Sequence, residues 1–231
     1  MSNANAVSAS LFKKLPFDVV KDFAPIGTLG FFELVICVAK ESRFKTLREL
    51  IAHGKAHPGQ LSLATINVGS TQHLAAELFK SRTGIDAVVV PYKGSPAVLT
   101  ALRGGEVDAA FEILGPTMAQ IGGGALRALA VSGERRNAAL PEVPTAIEQG
   151  VADYEVESWN ALAAPARTPA AVIERLQRAL QDAIARPEVT KRLAELGVRA
   201  KAGTPLQLQS LLATEIKRWR AVIGAAKIEP Q

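Results

Sequence analysis

The sequence predicts an α/β fold with a parallel sheet, because three short apolar runs alternate with polar loops that open helices. The run 61–64 is followed by a glycine-bearing loop and by a helix that begins at Ser70. The run 87–90 is followed by the turn 91–95 and another helix, and a third run occupies 107–111. Repeated strand–loop–helix units are typical of parallel sheets, whose ligands lie beyond the carboxyl ends of the strands. We therefore expect a small ligand at the edge where both polar loops lie.

Further strands and helices flank this repeat. Strands are expected near 34–38, over 126–131 and near 158–163, residues 1–10 are small and polar, and a short helix is expected from Pro144. Caps and first-turn prolines mark four more helices, which begin after Thr46, Thr168 and Thr204 and at Pro187. The pattern predicts two lobes with a ligand cleft between them, lobe one from 1–32 and 160–231 and lobe two from 33–159.

Composition and charge exclude several classes of protein. The 231 residues carry a net charge of +5, with scattered Lys and Arg and only 5% aromatic residues, so no nucleic-acid surface is expected. No stretch reaches the roughly 18–20 apolar residues of a membrane helix, and the start shows no signal peptide. The single cysteine, Cys37, excludes an intramolecular disulfide and is expected to be a buried, unreactive thiol.

The first polar loop is a candidate anion site. Asn67 and Gly69 lie in the loop, and Ser70 and Thr71 stand where the helix opens. The first N–H groups of a helix lack intrahelical partners and its dipole is positive there, so an anion is favoured. The alternative is that Ser70 or Thr71 only caps the helix.

The second loop and two neighbouring residues complete the candidate contacts. Ser95 is predicted to cap the next helix after Gly94, and Lys93 faces either a carboxylate or solvent. Glu112 directly follows the third apolar run, where it either accepts ligand hydrogen bonds or lies at the surface. Trp159, near the predicted return to lobe one, either walls the cleft or fills the core.

Catalytic and metal-binding patterns are absent from the sequence. It contains no G-x-S-x-G, Walker or G-x-G-x-x-G motif and no cysteine pair. His53 and His57 are four residues apart, but no third metal ligand is apparent, so both are expected at the surface. His73 is expected to be a hydrogen-bonded structural residue. We expect no metal, no cofactor and no catalysis.

The order of many short segments resembles that of the extracytoplasmic receptors of tripartite tricarboxylate transporters, the Bug or TctC family. The matching segments span nearly the whole chain: 11–18 (LFKKLPFD), 21–25 (KDFAP), 69–70 (GS), 73–79 (HLAAELF), 90–95 (VPYKGS), 105–108 (GEVD), 126–131 (LRALAV), 140–145 (LPEVPT), 158–159 (SW) and 162–166 (LAAPA).

This resemblance implies a two-lobed, type II periplasmic-binding-protein fold in the periplasm, without catalysis. It also implies capture of a small organic anion for a membrane permease, the ligand being a di- or tricarboxylate, an acidic amino acid or an aromatic acid. Carried onto this chain, the ligand contacts fall at Thr65, Asn67, Gly69, Ser70, Lys93 or its neighbours, and the position after the Asp108 strand.

The chain departs from the family pattern in three places. Ile66 and Val68 replace small polar residues, which predicts a drier pocket. Glu112 stands where the family often has Asp, and its side chain is one methylene longer. The longer side chain either leaves less space for the ligand or favours a ligand with a donor group. The family's first strand, glycine-rich loop and helix are missing, and 1–7 aligns with the end of a family strand. We therefore expect an N-terminally truncated chain with an incomplete first lobe, cytoplasmic if this start is genuine.

Two rival functions follow from these departures. A truncated receptor that no longer binds ligand is expected to associate, for example as a homodimer through the incomplete lobe. The other alternative is a small α/β enzyme that uses Glu112 and Lys93 as acid and base. This hypothesis predicts that the protein turns over a substrate.

Overall fold

In a computed structural model, residues 1–229 are described. This part of the chain forms eight helices and seven strands. In chain order they are α1 (Asn3–Leu11), β1 (Phe23–Ala39), α2 (Leu47–Ala56), β2 (Leu61–Ile66), α3 (Thr71–Thr83), β3 (Ala87–Tyr92), α4 (Ser95–Arg103), β4 (Ala109–Ile113), α5 (Leu114–Gly122), β5 (Leu126–Val131), β6 (Glu157–Pro165), α6 (Ala170–Ala185), α7 (Pro187–Glu195), β7 (Val198–Ala200) and α8 (Pro205–Ala225). None of the helices in residues 1–229 is both long and apolar enough to cross a membrane.

The chain divides into two compact units, which are described separately. The central unit is Glu33–Glu157, and the flanking unit is Met1–Phe32 with Ser158–Gln231. In the central unit the strands are ordered β3-β2-β4-β1-β5. Strand β2 is parallel to β3 and β4, as predicted, but β1 is antiparallel to both β4 and β5. The parallel pairing predicted for the three apolar runs is therefore confirmed, and the sheet as a whole is mixed because β1 runs in the opposite direction.

Helices cover the sheet of the central unit and exclude water from it. A cluster of fully or largely buried side chains from β1, β2, β4, β5 and α4 forms one side of the core. On α3, the Phe79 ring packs against Phe111 of β4 at 5.4 Å between centroids. The hydroxyl of buried Tyr154 donates to the Ala75 carbonyl (3.2 Å), which ties the end of this unit to α3. The α3 helix is thereby fixed against the sheet along most of its length.

In the flanking unit, the N-terminal residues form a helix that the sequence did not predict. Helix α1 packs on α8, and the buried Trp219 indole N–H donates to the side-chain oxygen of buried Asn3 (2.9 Å). Ser2 is the N-cap, and its amide donates to the Asn5 side chain (2.8 Å). Residues 1–7 were expected to align with the end of a family strand; Ser2 does make an isolated antiparallel bridge with Asn160, but residues 3–7 belong to α1.

Three other elements differ from the sequence prediction. Strand β1 is 17 residues long instead of about five, since its first half also pairs with the unpredicted β7, Gly30 opposite Ala200. The short helix expected at Pro144 is a series of turns, because Thr145 pairs with Val131 and is held there by the Glu148 side chain. Residue-level periodicity does not reveal these long-range pairings.

Candidate functional site

The carboxyl ends of β2, β3 and β4 bring the two polar loops to one edge of the central sheet. The register pairs Thr65 with Pro91 and Ile66 with Tyr92, so β2 and β3 end side by side. The Asn67 amide donates to the Tyr92 carbonyl (3.0 Å), which joins the two loops directly. The loops then turn into α3 and α4, and both helices present their N-termini at this edge. The sequence prediction of two loops at one edge is confirmed.

The N-terminus of α3 is built around Ser70. Its hydroxyl accepts from the His73 amide (3.0 Å) and donates to the Ile66 carbonyl (3.0 Å), so Ser70 is the N-cap. Gly69 precedes it with φ of +79°, in the left-handed region that favours glycine. Thr71 is the first helical residue and is buried, whereas Asn67 is exposed. The loop therefore offers a solvent-facing amide side chain beside a capped helix start.

The N-terminus of α4 differs from the prediction. Gly94, with φ of +95°, is the N-cap, and Ser95 is the first helical residue. The prediction of Ser95 as the cap is wrong because its hydroxyl is engaged elsewhere, donating to Glu112 Oε2 (2.8 Å). Lys93 is exposed. The second loop thus contributes a hydroxyl to a carboxylate from the neighbouring strand.

Glu112 lies within β4, not after it, and is completely buried, so the surface alternative is wrong. Its Oε2 accepts from Ser95, from the Gln72 side-chain amide (3.4 Å) and from the Ile113 amide (3.3 Å). Its Oε1 is buried without a hydrogen-bond partner. Burial raises the pKa of Glu112 above its usual value, and the hydrogen bonds from Ser95, Gln72 and Ile113 oppose that rise.

Gln72 is a site residue that sequence reasoning missed. It is buried on the first turn of α3, and its side chain reaches a carboxylate 40 residues later in the chain. The signal available in the sequence was its place next to Thr71, directly after the loop predicted to bind an anion.

The two remaining predicted contacts are both buried. Thr65, near the end of β2, has a side-chain oxygen without a partner. Trp159 is 1% exposed and lies on β6 in the flanking unit. The central unit alone therefore assembles nine of the predicted contacts: Thr65, Asn67, Gly69, Ser70, Thr71, Lys93, Gly94, Ser95 and Glu112.

The histidines and the cysteine lie in other environments. Within residues 1–229, no group of three His, Cys, Asp or Glu side chains could hold a metal ion. The His53 ring stacks on His57 at 4.2 Å, and its Nε2 lies 2.9 Å from an Arg43 guanidinium nitrogen. His73 is buried, and its Nδ1 has no hydrogen-bond partner. Burial raises the pKa of the Cys37 thiol to about 12, as expected of an unreactive cysteine.

Solved structures with the same fold are binding proteins. "R. palustris Rpa4515 with adipate" matches with a TM-score of 0.90 and 30% identity, over all of this chain and 78% of that one. "MatC (Rpa3494) from Rhodopseudomonas palustris with bound malate" matches with a TM-score of 0.81 and 28% identity, over 96% of this chain and 77% of that one. The periplasmic binding protein BugD matches with a TM-score of 0.87. The α/β class and the periplasmic-binding-protein fold predicted from the sequence are confirmed.

Residues 1–228 match the family described as "Tripartite tricarboxylate transporter family receptor", and the chain belongs to this family. Protein BugT of Bordetella pertussis is 35% identical over 218 residues, covering 94% of this chain and 67% of BugT. A UPF0065 protein of Pseudomonas sp. (strain P51) is 33% identical over 223 residues, covering 96% and 66%. The chain thus spans about two thirds of the length of these relatives. The family and the structural matches are solute-binding proteins, not enzymes.

Proposed function

We propose that this protein is a periplasmic receptor that captures a small organic carboxylate for a membrane permease of the tripartite tricarboxylate type. One observation carries the proposal: the N-termini of α3 and α4 meet at the carboxyl edge of β2, β3 and β4, in a chain of a receptor family. Helix N-termini with adjacent hydroxyls bind anions without a cationic clamp. The contacts we propose are Thr65, Asn67, Gly69, Ser70, Thr71, Lys93, Gly94, Ser95, Glu112 and Trp159.

Ligands named for two structural neighbours support a carboxylate. One neighbour is described with adipate and the other with bound malate, both dicarboxylates. In this proposal, the lobes are 1–32 with 160–231 and 33–159, and the ligand shifts the population toward the closed arrangement. Association as a homodimer stays a prediction of the sequence alone.

A thermal-shift screen of the 231-residue chain against di- and tricarboxylates, acidic amino acids and aromatic acids tests the proposal. A ligand at about 100 times its Kd stabilises a protein by about 2.7 kcal/mol. For a chain of this size, we expect a rise in melting temperature of roughly 5–11 °C. Neutral amides of the same acids are the control and are expected to give no shift.

Matched lysine variants then locate the site. Lys93→Ala is expected to weaken binding of the acid that gives a thermal shift. Lys55→Ala removes another exposed charge, on α2, and is expected to leave the affinity for this acid unchanged. A cooperative melt that no acid shifts, at millimolar concentration, contradicts the proposed function.

A further inference from the structure

The unpaired oxygen of Glu112 distinguishes this carboxyl group from an ordinary structural one. Three donors converge on Oε2, whereas Oε1 is buried without any hydrogen-bond partner. Buried polar atoms in folded proteins are nearly always paired, so this exception needs an explanation, and a group of a bound ligand is one. Glu112 also stands between the first turns of α3 and α4, where the proposed ligand binds.

Glu112 also lacks an ion-pair partner among the described residues. Among the ion pairs of residues 1–229, none includes Glu112, and the groups that shift its pKa are neutral donors. Cys37 is the titratable group that senses the Glu112 charge, and its thiol, with a pKa of about 12, stays neutral. Because Oε2 only accepts hydrogen bonds, the arrangement suits a carboxylate that lacks a positive partner.

We propose that Glu112 determines specificity, with Oε1 accepting a hydrogen bond from an ammonium or hydroxyl group of the bound carboxylate. The inference rests on the proposed function and names its ligand class: acids that carry a donor beside the carboxylate. The ligand carboxylate occupies the helix N-termini, and its donor meets Oε1 after a change of the Glu112 rotamer. Ser95, which donates to Glu112, and Ser70, the N-cap of α3, are only half-buried, so the ligand approaches from the side of these two helix starts.

This geometry discriminates between acids of the same length. A plain diacid offers Glu112 only C–H groups and acceptors, so Oε1 stays unpaired in the complex. A hydroxyl supplies the missing hydrogen bond, and an ammonium supplies both the hydrogen bond and the missing charge. A site with a buried polar group rejects the analogue that lacks the matching group. The expected order of affinity is therefore ammonium, then hydroxyl, then plain acid.

Isothermal titration with two matched series tests this order. The probes are aspartate, malate and succinate, and glutamate, 2-hydroxyglutarate and glutarate, each titrated into the wild-type chain. In the series that fits the site, we expect the ammonium acid to bind at least about tenfold tighter than the plain acid, or about 1.4 kcal/mol. E112Q keeps the shape and one acceptor but removes the charge, so the ratio of the affinities for the ammonium acid and the plain acid is expected to fall to about one. Glu106→Gln, at an exposed carboxylate, is the control and is expected to retain the wild-type order.

Each result decides between the two proposals. The role of Glu112 is overturned if the acids of a series bind equally, if the plain acid is preferred, or if E112Q keeps the ammonium preference. None of these results contradicts the receptor function. Failure of every acid to bind overturns both. If E112Q does not fold, methoxysuccinate replaces it as the probe, since it keeps the oxygen of malate without the donor. Binding as tight as that of malate then overturns the proposal.

Discussion

Replacing Ser132 with alanine is expected to destabilise the central unit strongly. Ser132 is completely buried, and its hydroxyl accepts from the Leu34 amide (2.9 Å) and donates to the Val156 carbonyl (2.5 Å). Leu34 is the second residue of the central unit and Val156 is its last but one. One hydroxyl therefore ties both ends of this unit to the end of β5.

The magnitude follows from the two hydrogen bonds that alanine cannot make. The Leu34 amide loses its partner and stays buried, which costs about 1–3 kcal/mol, and the lost bond to Val156 adds about 1 kcal/mol. The backbone bonds of Ser132 to the same two residues remain, so the strands stay paired. We expect a loss of about 2–4 kcal/mol in the free energy of unfolding. At roughly 2–4 °C per kcal/mol for a chain of this size, the melting temperature falls by about 4–16 °C.

Thermal unfolding followed by circular dichroism measures this loss, and hydrogen exchange at the Leu34 amide locates it. The control is Ser81→Ala, which removes an exposed hydroxyl on α3 and is expected to change stability little, because alanine favours the helix. A melting temperature within about 1 °C of wild type, with the Leu34 amide equally protected, would refute the reasoning.

Three further predictions concern single side chains. Native Cys37, with its pKa of about 12 and no exposure, is expected to resist iodoacetamide at pH 8 and to react after unfolding in urea. Gly27→Ala is expected to destabilise the flanking unit by about 1–3 kcal/mol, since the added Cβ would lie 2.3 Å from the Gly203 carbonyl oxygen. The pKa of Glu112 in the folded state lies above its usual value of 4.5. Its contribution to the free energy of unfolding is therefore fully present below pH 4.5 and is lost as the pH rises through the pKa of the folded state. The stability of wild type relative to E112Q is therefore expected to fall as the pH rises from about 4 to 7, measured by thermal melts.

Each of these predictions has a result that contradicts it. Labelling of native Cys37 at the rate of the unfolded chain would show that the thiol is accessible. Gly224→Ala, where nothing lies within 4 Å of the new Cβ in α8, is the control for Gly27 and is expected to be neutral or stabilising. Equal losses for both glycine variants would remove the steric explanation. If the difference in stability between wild type and E112Q stayed constant with pH, the folded and unfolded states would bind the Glu112 proton equally.

Elements held together by neighbours in the sequence could be predicted from the sequence. Strands β2, β3 and β5 and helix α3 were located within about two residues, because apolar runs and capping residues act over one or two turns. Ser70 or Thr71 was predicted as the cap for the same reason, and Ser70 is the cap: its partners, His73 and Ile66, lie three and four residues away. The family followed from the order of such local segments along the chain.

Contacts between distant residues were decided only by the tertiary structure. Helix α1 depends on a partner 216 residues away, since the Trp219 indole holds Asn3, and no local pattern marks that pairing. The antiparallel direction of β1, the reach of Gln72 and the burial of Glu112 likewise arise from packing. The sequence by itself placed two polar loops at one sheet edge, because short-range hydrogen bonds and periodicity determine strands and helix starts. Only the tertiary structure shows that one carboxylate oxygen of Glu112 is buried and unpaired, because its burial depends on how the whole chain packs around it.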